Sequence, residues 1–371
     1  MSAIISKLIP IAWSDTSRQQ LFSTWLNSCI SDFSLDADTL GLASADASFR
    51  RYFRIFNKNH PKRSFIIMDA PPDKENCTSF VAIAKLMKDA GLLVPDILQW
   101  SQVDGFMLLS DLGSSTLLQD LSTHLDLSNP NLAPPLAPFL KAIDALVVLQ
   151  NAKPSDIFPS YDEALLKKEM NLFPEWYLSQ HKGIALKDDQ KNTLNTSFEH
   201  IIKSNLSAPK VFVHRDFMTR NLMIPLDPDE SRLGILDFQD AVLGPITYDI
   251  ASLMRDAFCS WSEEFVLDVT VRYWERIRRT GIIDANGWSE DFGEFWRAVE
   301  WMGLQRHLKV AGIFARLTLR DSKPKYLADA PRFINYIRNT AQRYRELFPL
   351  LRLIDSIENT QLQQSYSFGR L

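Results

Sequence analysis

Cysteine is scarce in this 371-residue chain: Cys29, Cys77 and Cys259 are all it has, and they lie far apart. An odd, sparse set makes no disulfide framework, and without a CxxC spacing it suggests no zinc site. Free thiols in a reducing cytosol are the expectation. Long apolar runs are missing too. No stretch reaches the roughly 18 uninterrupted apolar residues that a spanning helix needs. The opening "MSAIISKLIPIAWSD" is broken by Lys7 and lacks a cleavage region. We therefore expect a cytoplasmic protein with no membrane partner. There is no basic excess either: 41 Lys+Arg stand against 45 Asp+Glu, a net charge of −4. Nothing in that balance asks for nucleic acid. Repeats and low-complexity tracts are absent. What remains is an ordinary globular composition, long enough for two domains or one two-lobed domain with a large core.

The first 110 or so residues alternate strand and helix signals. A helix is expected from Ser17 to about Cys29. "FRRYFRIF" (Phe49–Phe56) and "SFIIMDA" (Ser64–Ala70) read as strands, with a turn from Asn57 to Pro61. "TSFVAIAKLMKDAG" places Phe80, Ile83, Ala84 and Met87 on one helical face and stops at Gly91. "DILQW" and "GFMLLSDLG" add two strands, with a turn at Asp104-Gly105. A proline-rich connection, "SNPNLAPPLAPF", follows, and helical patterns dominate from about Leu140. Three are long: "FVLDVTVRYWERIRRTG", "FWRAVEWMGLQRHLKVAGIFARL" and "RFINYIRNTAQRYRELF". One small hairpin, its arms separated by "PLDPDES", is expected within the helical part.

That hairpin begins in "VHRDFMTRNLMIP", where His214, Arg215, Asp216 and Asn221 interrupt an apolar run. Burying such groups is costly unless they are paired or put to use. Asp237 follows the second arm, "LGIL", so a hairpin can bring Asp216, Asn221 and Asp237 together. A carboxylate and a carboxamide suit a hard cation such as Mg²⁺, which keeps waters and bridges phosphates. A further carboxylate can orient and deprotonate a hydroxyl. A polar loop capped by its own hydrogen bonds is the plainer alternative.

The ordered set H-R-D-x4-N, strand, D-F, G-P, then Asp opening a helix resembles the catalytic segment of the protein-kinase-like superfamily. "GPITYDIASLMRD" looks like its aminoglycoside- and choline-kinase-type phosphotransferase branch. The resemblance implies an α+β, two-lobed, protein-kinase-like fold with a small β-rich N-lobe and a mostly helical C-lobe. Residues 1–110 would bind nucleotide and 111–371 would carry the catalytic loop and acceptor helices, with a hinge near 108–115. It further implies Asp216 as base, Asn221 and Asp237 on Mg²⁺, and His214 and Asp249 supporting the loop. ATP would lie near Ser48, Arg50 and Arg54, with Ser110 and Leu112 in the hinge.

Two departures stand out. The phosphate-covering loop uses Ala and Ser where glycines normally let backbone amides approach. The strand "SFIIMDAPP" lacks the lysine that such kinases pair with the α- and β-phosphates. Arg50 and Arg54, on one face of a strand, are candidates to supply the missing charge. A solvated edge strand guarded by arginines is the alternative. No long activation segment follows "DFQD", so Arg215 has no phosphorylated loop to sense. A small acceptor fits better than a protein.

"ADASFRRYFR", "MDAPP", "LSDLG" and "LGILDFQDAVLGPITYD" are similar to a bacterial subgroup of anomeric sugar kinases. Its members act at C1 of N-acetylmuramate and N-acetylglucosamine in cell-wall recycling. A sugar site wants an aromatic platform and fixed polar groups. Glu169, Trp176 and Arg306 are the expected contacts, with Tyr177, Trp301, Gln305 and Lys309 as further candidates. Each of these could equally pack the core or face water. The product would pass to a sugar-1-phosphate nucleotidyltransferase. Choline- or aminoglycoside-type acceptors, and a pseudokinase scaffold that binds nucleotide without turnover, stand as the other readings.

Overall fold

A computed structural model describes residues 11–13, 15–45, 49–129, 131–153 and 158–358. The strands in chain order are β1 (Leu35–Ala45), β2 (Arg51–Asn57), β3 (Ser64–Asp69), β4 (Ile97–Ser101), β5 (Phe106–Ser110), β6 (Ser115–Thr116), β7 (Lys210–Val213), β8 (Leu222–Ile224), β9 (Gly234–Ile235) and β10 (Val242–Pro245). Two compact units emerge, Met1–Thr123 with Arg220–Asp240, and His124–Thr219 with Ala241–Leu371.

In the first unit β1 to β5 form an antiparallel sheet in the order β1-β2-β3-β5-β4. Alternation along the strands sends Phe53, Ile55, Phe65, Ile67, Phe106 and Leu108 to one face. Helix α1 (Thr16–Phe33), N-capped by Asp15, buries Phe22, Trp25, Leu26 and Cys29 against that face. Helix α2 (Thr78–Asp89) buries the expected Phe80, Ile83, Ala84 and Met87. A three-stranded sheet, β6-β8-β9, and the short α3 (Leu117–Ser122) complete the unit. Gly113 has φ +146, and a side chain there would meet the Ile224 carbonyl oxygen at 2.3 Å.

The expected hairpin is therefore present as β8 and β9, with Leu222 opposite Ile235. It belongs to the first unit rather than the helical one. Its first arm pairs with β6 through Ser115 and Thr116, and Ile235 N–H donates to the Leu93 carbonyl at 2.8 Å. Phe238, just beyond it, stacks on Phe80 of α2 at 4.9 Å.

The second unit contains a two-stranded sheet, β7 with β10, and is otherwise mostly helical. Its helices are α4 (Leu136–Asn151), α5 (Glu163–Met170), α6 (Asp188–Leu206), α7 (Thr247–Met254), α8 (Glu263–Ile277), α9 (Phe292–Leu319), α10 (Ala330–Ala341) and α11 (Phe348–Ile357). Every residue of α7 is buried. Two expectations need correction. "RFINYIRNTAQRYRELF" is not one helix: α10 stops at Ala341, and α11 starts afresh at Phe348 with proline in its first turn. A proline is tolerated there but cannot continue a preceding helix. Strand β1 was not anticipated, because "LDADTLGLASA" is poor in β-branched and aromatic residues. Pairing with β2, broken by two register shifts, makes it a strand.

Candidate active site

The loop after β7 carries Asp216 and is tied down from both ends within the second unit. At its start, the fully buried Asp249 of α7 accepts the backbone N–H groups of His214 at 2.7 Å and Arg215 at 3.0 Å. At its end, the fully buried Asp256 accepts Thr219 N–H at 3.1 Å and the Thr219 hydroxyl at 2.6 Å. Asp249 and Asp256 are two helical turns apart in sequence, so a single segment braces the whole loop. His214, fully buried, accepts the Asp216 N–H through Nδ1 at 3.3 Å. Arg215 holds φ +76, a conformation that a bulky residue adopts only when its surroundings impose it. Burial pushes the Asp249 carboxyl up, against the pull of the two N–H bonds and Arg306, to about 7.

Arg306 of α9 donates from Nη1 to the Arg215 carbonyl at 2.9 Å, and its guanidinium lies 4.7 Å from the Tyr248 ring centre. It is 3% exposed. Glu169 of α5 takes Arg215 Nη2 at 2.7 Å and Lys309 Nζ at 2.9 Å. It also accepts the Tyr161 hydroxyl and Gln305 Nε2, the latter at 3.2 Å. Lys309 donates to the Tyr248 hydroxyl at 3.0 Å. Burial pushes the Glu169 carboxyl up, but the Lys309 and Arg215 charges and the donated bonds outweigh it, leaving it at about 2. Glu169 and Arg306, expected at the sugar, are thus engaged in holding Arg215. Tyr177 stacks on Phe173 and donates to Glu358 at 2.9 Å, Trp301 packs on Tyr344, and both side chains are buried. Trp176 is half-buried on the segment Phe173–His181.

In the first unit the hairpin brings Asn221 and Asp237 together, with Asn221 Nδ2 3.3 Å from Asp237 Oδ2. The Leu236 N–H to Asn221 carbonyl bond, 2.9 Å, closes the hairpin beneath them. Asp237 has φ +66, a second strained polar residue, and Gln239 Nε2 donates to its other oxygen at 2.8 Å. A carboxamide and a carboxylate on one rigid arch are the hard oxygen donors that Mg²⁺ accepts, so these residues fit that ion.

Arg54, expected near ATP, has protein partners. Its guanidinium bonds Asp111 at 2.6 and 3.1 Å and the Gly113 carbonyl at 2.7 Å, fixing the segment after β5. Asp111 also accepts the Ser64 hydroxyl at 2.6 Å. Ser110 N–H and Oγ are both bonded to the backbone of Asp96, and Leu112 packs over Gly234. Arg50 pairs with Glu75 at 3.1 Å. Ser48 lies outside the described residues. The sequence reading missed Asp256, Tyr161, Tyr248 and Glu75; of these only Asp256, seven residues after Asp249 in the same segment, had a positional signal.

Comparisons with known proteins bear on the chain's family and fold. The profile of the phosphotransferase enzyme family matches residues 39–284. A Pseudomonas aeruginosa protein named N-acetylmuramate/N-acetylglucosamine kinase is 42% identical over 93% of this chain and 98% of its own. A Neisseria meningitidis protein of the same name is 42% identical over 95% and 99%. Among solved structures, an ADP-bound aminoglycoside phosphotransferase superposes with a TM-score of 0.55 at 14% identity, covering 87% of this chain and 97% of that one. Choline kinase from Cryptosporidium parvum gives 0.56 at 11%, over 90% and 99%. These two likenesses speak to the fold, which is kinase-like.

Proposed function

This chain belongs to the phosphotransferase enzyme family, and from that premise we propose that it is an ATP-dependent kinase for the C1 hydroxyl of N-acetylmuramate and N-acetylglucosamine. The choice of sugar rests on the names of the relatives that match almost end to end. The observation that carries the chemistry is the loop of Asp216, braced at both ends by buried carboxylates and held through a strained Arg215. That much ordering is wasted on a loop with no reaction to position.

Asp216 is the base. It accepts the proton of the sugar hydroxyl as that oxygen bonds the γ-phosphorus and the bond to the β–γ bridging oxygen breaks, releasing ADP. Asn221 and Asp237 hold Mg²⁺, which when bound neutralises phosphate charge. The gain in rate comes from alignment and charge neutralisation rather than a covalent intermediate. We assign nucleotide binding to the N-terminal part, the acceptor to the helical part, and the hinge to 108–115. No described helix is long and apolar enough to cross a membrane. A cytoplasmic place in cell-wall recycling, with the sugar 1-phosphate passing to a nucleotidyltransferase, completes the reading.

The test is ADP release from Mg-ATP with N-acetylmuramate, N-acetylglucosamine, glucose, choline and an aminoglycoside, with Asp216→Asn as control. Turnover confined to N-acetylated sugars, an acid-labile product phosphate and a dead control are expected. Turnover on choline or the aminoglycoside alone would replace the sugar assignment. ATP binding without turnover on any acceptor would favour a scaffold.

A further inference from the structure

Helix α10 opens with a cation at the wrong end. Arg332 stands in its first turn, where the aligned peptide dipoles present positive charge and favour anions. Its Nη2 reaches Asp329, the residue just before the helix. Its Nη1 is buried and, among the described residues, has no hydrogen-bond partner. A guanidinium N–H left buried and unsatisfied is costly, so the position asks for an acceptor. The neighbouring chain adds to the surplus. From Arg316 to Arg332 there are five cations against two anions, Asp321 and Asp329. Both anions are taken, Asp321 by Arg320 at 2.7 Å and Asp329 by Arg332. Uncompensated positive charge here draws an anion from solution.

The same place is aromatic. Phe314 of α9 meets Phe333 of α10 edge-on at 5.1 Å and Tyr326, in the turn Pro324–Asp329, at 5.0 Å. Phe258 lies 6.0 Å from Phe314. Phe314 and Phe333 are buried, whereas Tyr326, Phe258 and Arg332 are each half-buried and border solvent. Apolar rings beside a fixed polar group are what a sugar site wants. This place also adjoins the loop of Asp216, within the second unit. Asp256, which accepts both Thr219 bonds, takes the Phe258 N–H at 2.9 Å as well. Burial pushes the Asp256 carboxyl up, and the Arg332 charge is among the influences pulling it down. Thr219 is three residues from Asp216, no more than about 11 Å along even an extended chain.

We infer that Arg332 binds the carboxylate of N-acetylmuramate while the C1 hydroxyl faces Asp216, with the Tyr326 and Phe258 rings alongside the sugar. This rests on the sugar-kinase reading and deepens it. N-acetylglucosamine has no carboxylate, so Arg332 is the residue that tells the two acceptors apart. A guanidinium suits the task, because it is permanently charged and its planar fork matches carboxylate oxygens. Nη1 supplies the bond for which the protein itself provides no acceptor.

Initial rates of the full-length protein with Mg-ATP and each sugar give the ratio of KM for N-acetylmuramate to KM for N-acetylglucosamine. Arg332→Met should raise that ratio at least tenfold, and Arg332→Lys should restore part of it. The methyl ester of N-acetylmuramate supplies a test on the wild type, which should show a KM for the ester at least tenfold above that for the acid. Arg332→Met should treat acid and ester alike. An unmoved ratio in Arg332→Met, an equal loss on both sugars included, would overturn the inference and leave the sugar-kinase reading standing. Where Arg332→Met does not fold, the ester decides: equal KM for acid and ester in the wild type would overturn the inference. No turnover of either sugar by the wild type would overturn both.

Discussion

Asp249 shows how one buried carboxyl ties stability to pH. Its pKa, about 7, lies above that of an unfolded aspartate. The native state therefore holds more protons between about pH 4 and 7, and the group's contribution to stability is lost as pH rises through that window. The stability advantage of wild type over Asp249→Asn is expected to be larger at pH 5.5 than at pH 8.5, measured by urea unfolding. A gap that widened with pH would contradict the assignment. Arg306 favours the ionised form of Asp249 and holds the Arg215 carbonyl. Arg306→Met should lower kcat by tenfold or more with little change in KM for either substrate, and move the acid limb of the kcat profile to higher pH. Arg306→Lys should recover part of the rate. At this scale the meeting of Asn221 with Asp237 follows from a hairpin that two apolar arms spell out, and Asp249 bonds the loop backbone where the resemblance put it. The contacts of Glu169 and Arg306 with Arg215 had no such signal. Their partners lie 46 and 91 residues away, and no local pattern distinguishes a carboxylate for a sugar from one for an arginine.

Helix α9 supplies Gln305, Arg306 and Lys309 from one buried stretch, and its placement depends on Gly312. A side chain there would meet the Leu172 backbone carbonyl carbon and oxygen at 2.3 Å each. Leu172 leads into the π-helical segment Phe173–His181, whose wide turns show in Lys182 N–H bonding the Tyr177 carbonyl at 3.0 Å. Gly312→Ala should cost about 1–3 kcal/mol of stability by overpacking and reduce kcat together with it, as α9 is displaced. Urea unfolding and initial rates on the same samples would show both, and a neutral Gly312→Ala would mean that α9 shifts freely. The amphipathic periodicity made α8 and α9 readable. The π-helical turn was not foreseen, and nothing in "FPEWYLSQH" sets it apart from an ordinary helix with proline in its first turn.

Across the whole molecule, Cys29, Cys77 and Cys259 are all buried and free. Burial pushes each thiol up, most of all Cys259. Ellman's reagent should leave the native protein almost untouched and count three thiols after denaturation. Rapid labelling of the native state would show that a thiol is exposed. The organisation of the chain was only partly legible. Composition shifts after Gly113, which suggested a boundary near residue 110, but the first compact unit runs to Thr123 and takes Arg220–Asp240 as well. Pairing of Ser115 and Thr116 with Met223 and Ile224 makes it so, and such a long-range pairing leaves no mark in composition. That pairing has a consequence for synthesis on the ribosome. The N-terminal 123 residues emerge without strands β8 and β9, and about 120 more residues must be added before both are available. At about 5–20 residues per second the delay is on the order of 6–24 s, during which β6 is an unpaired edge. A vectorially made chain therefore completes its first unit late, after much of the sequence of the second has already left the tunnel.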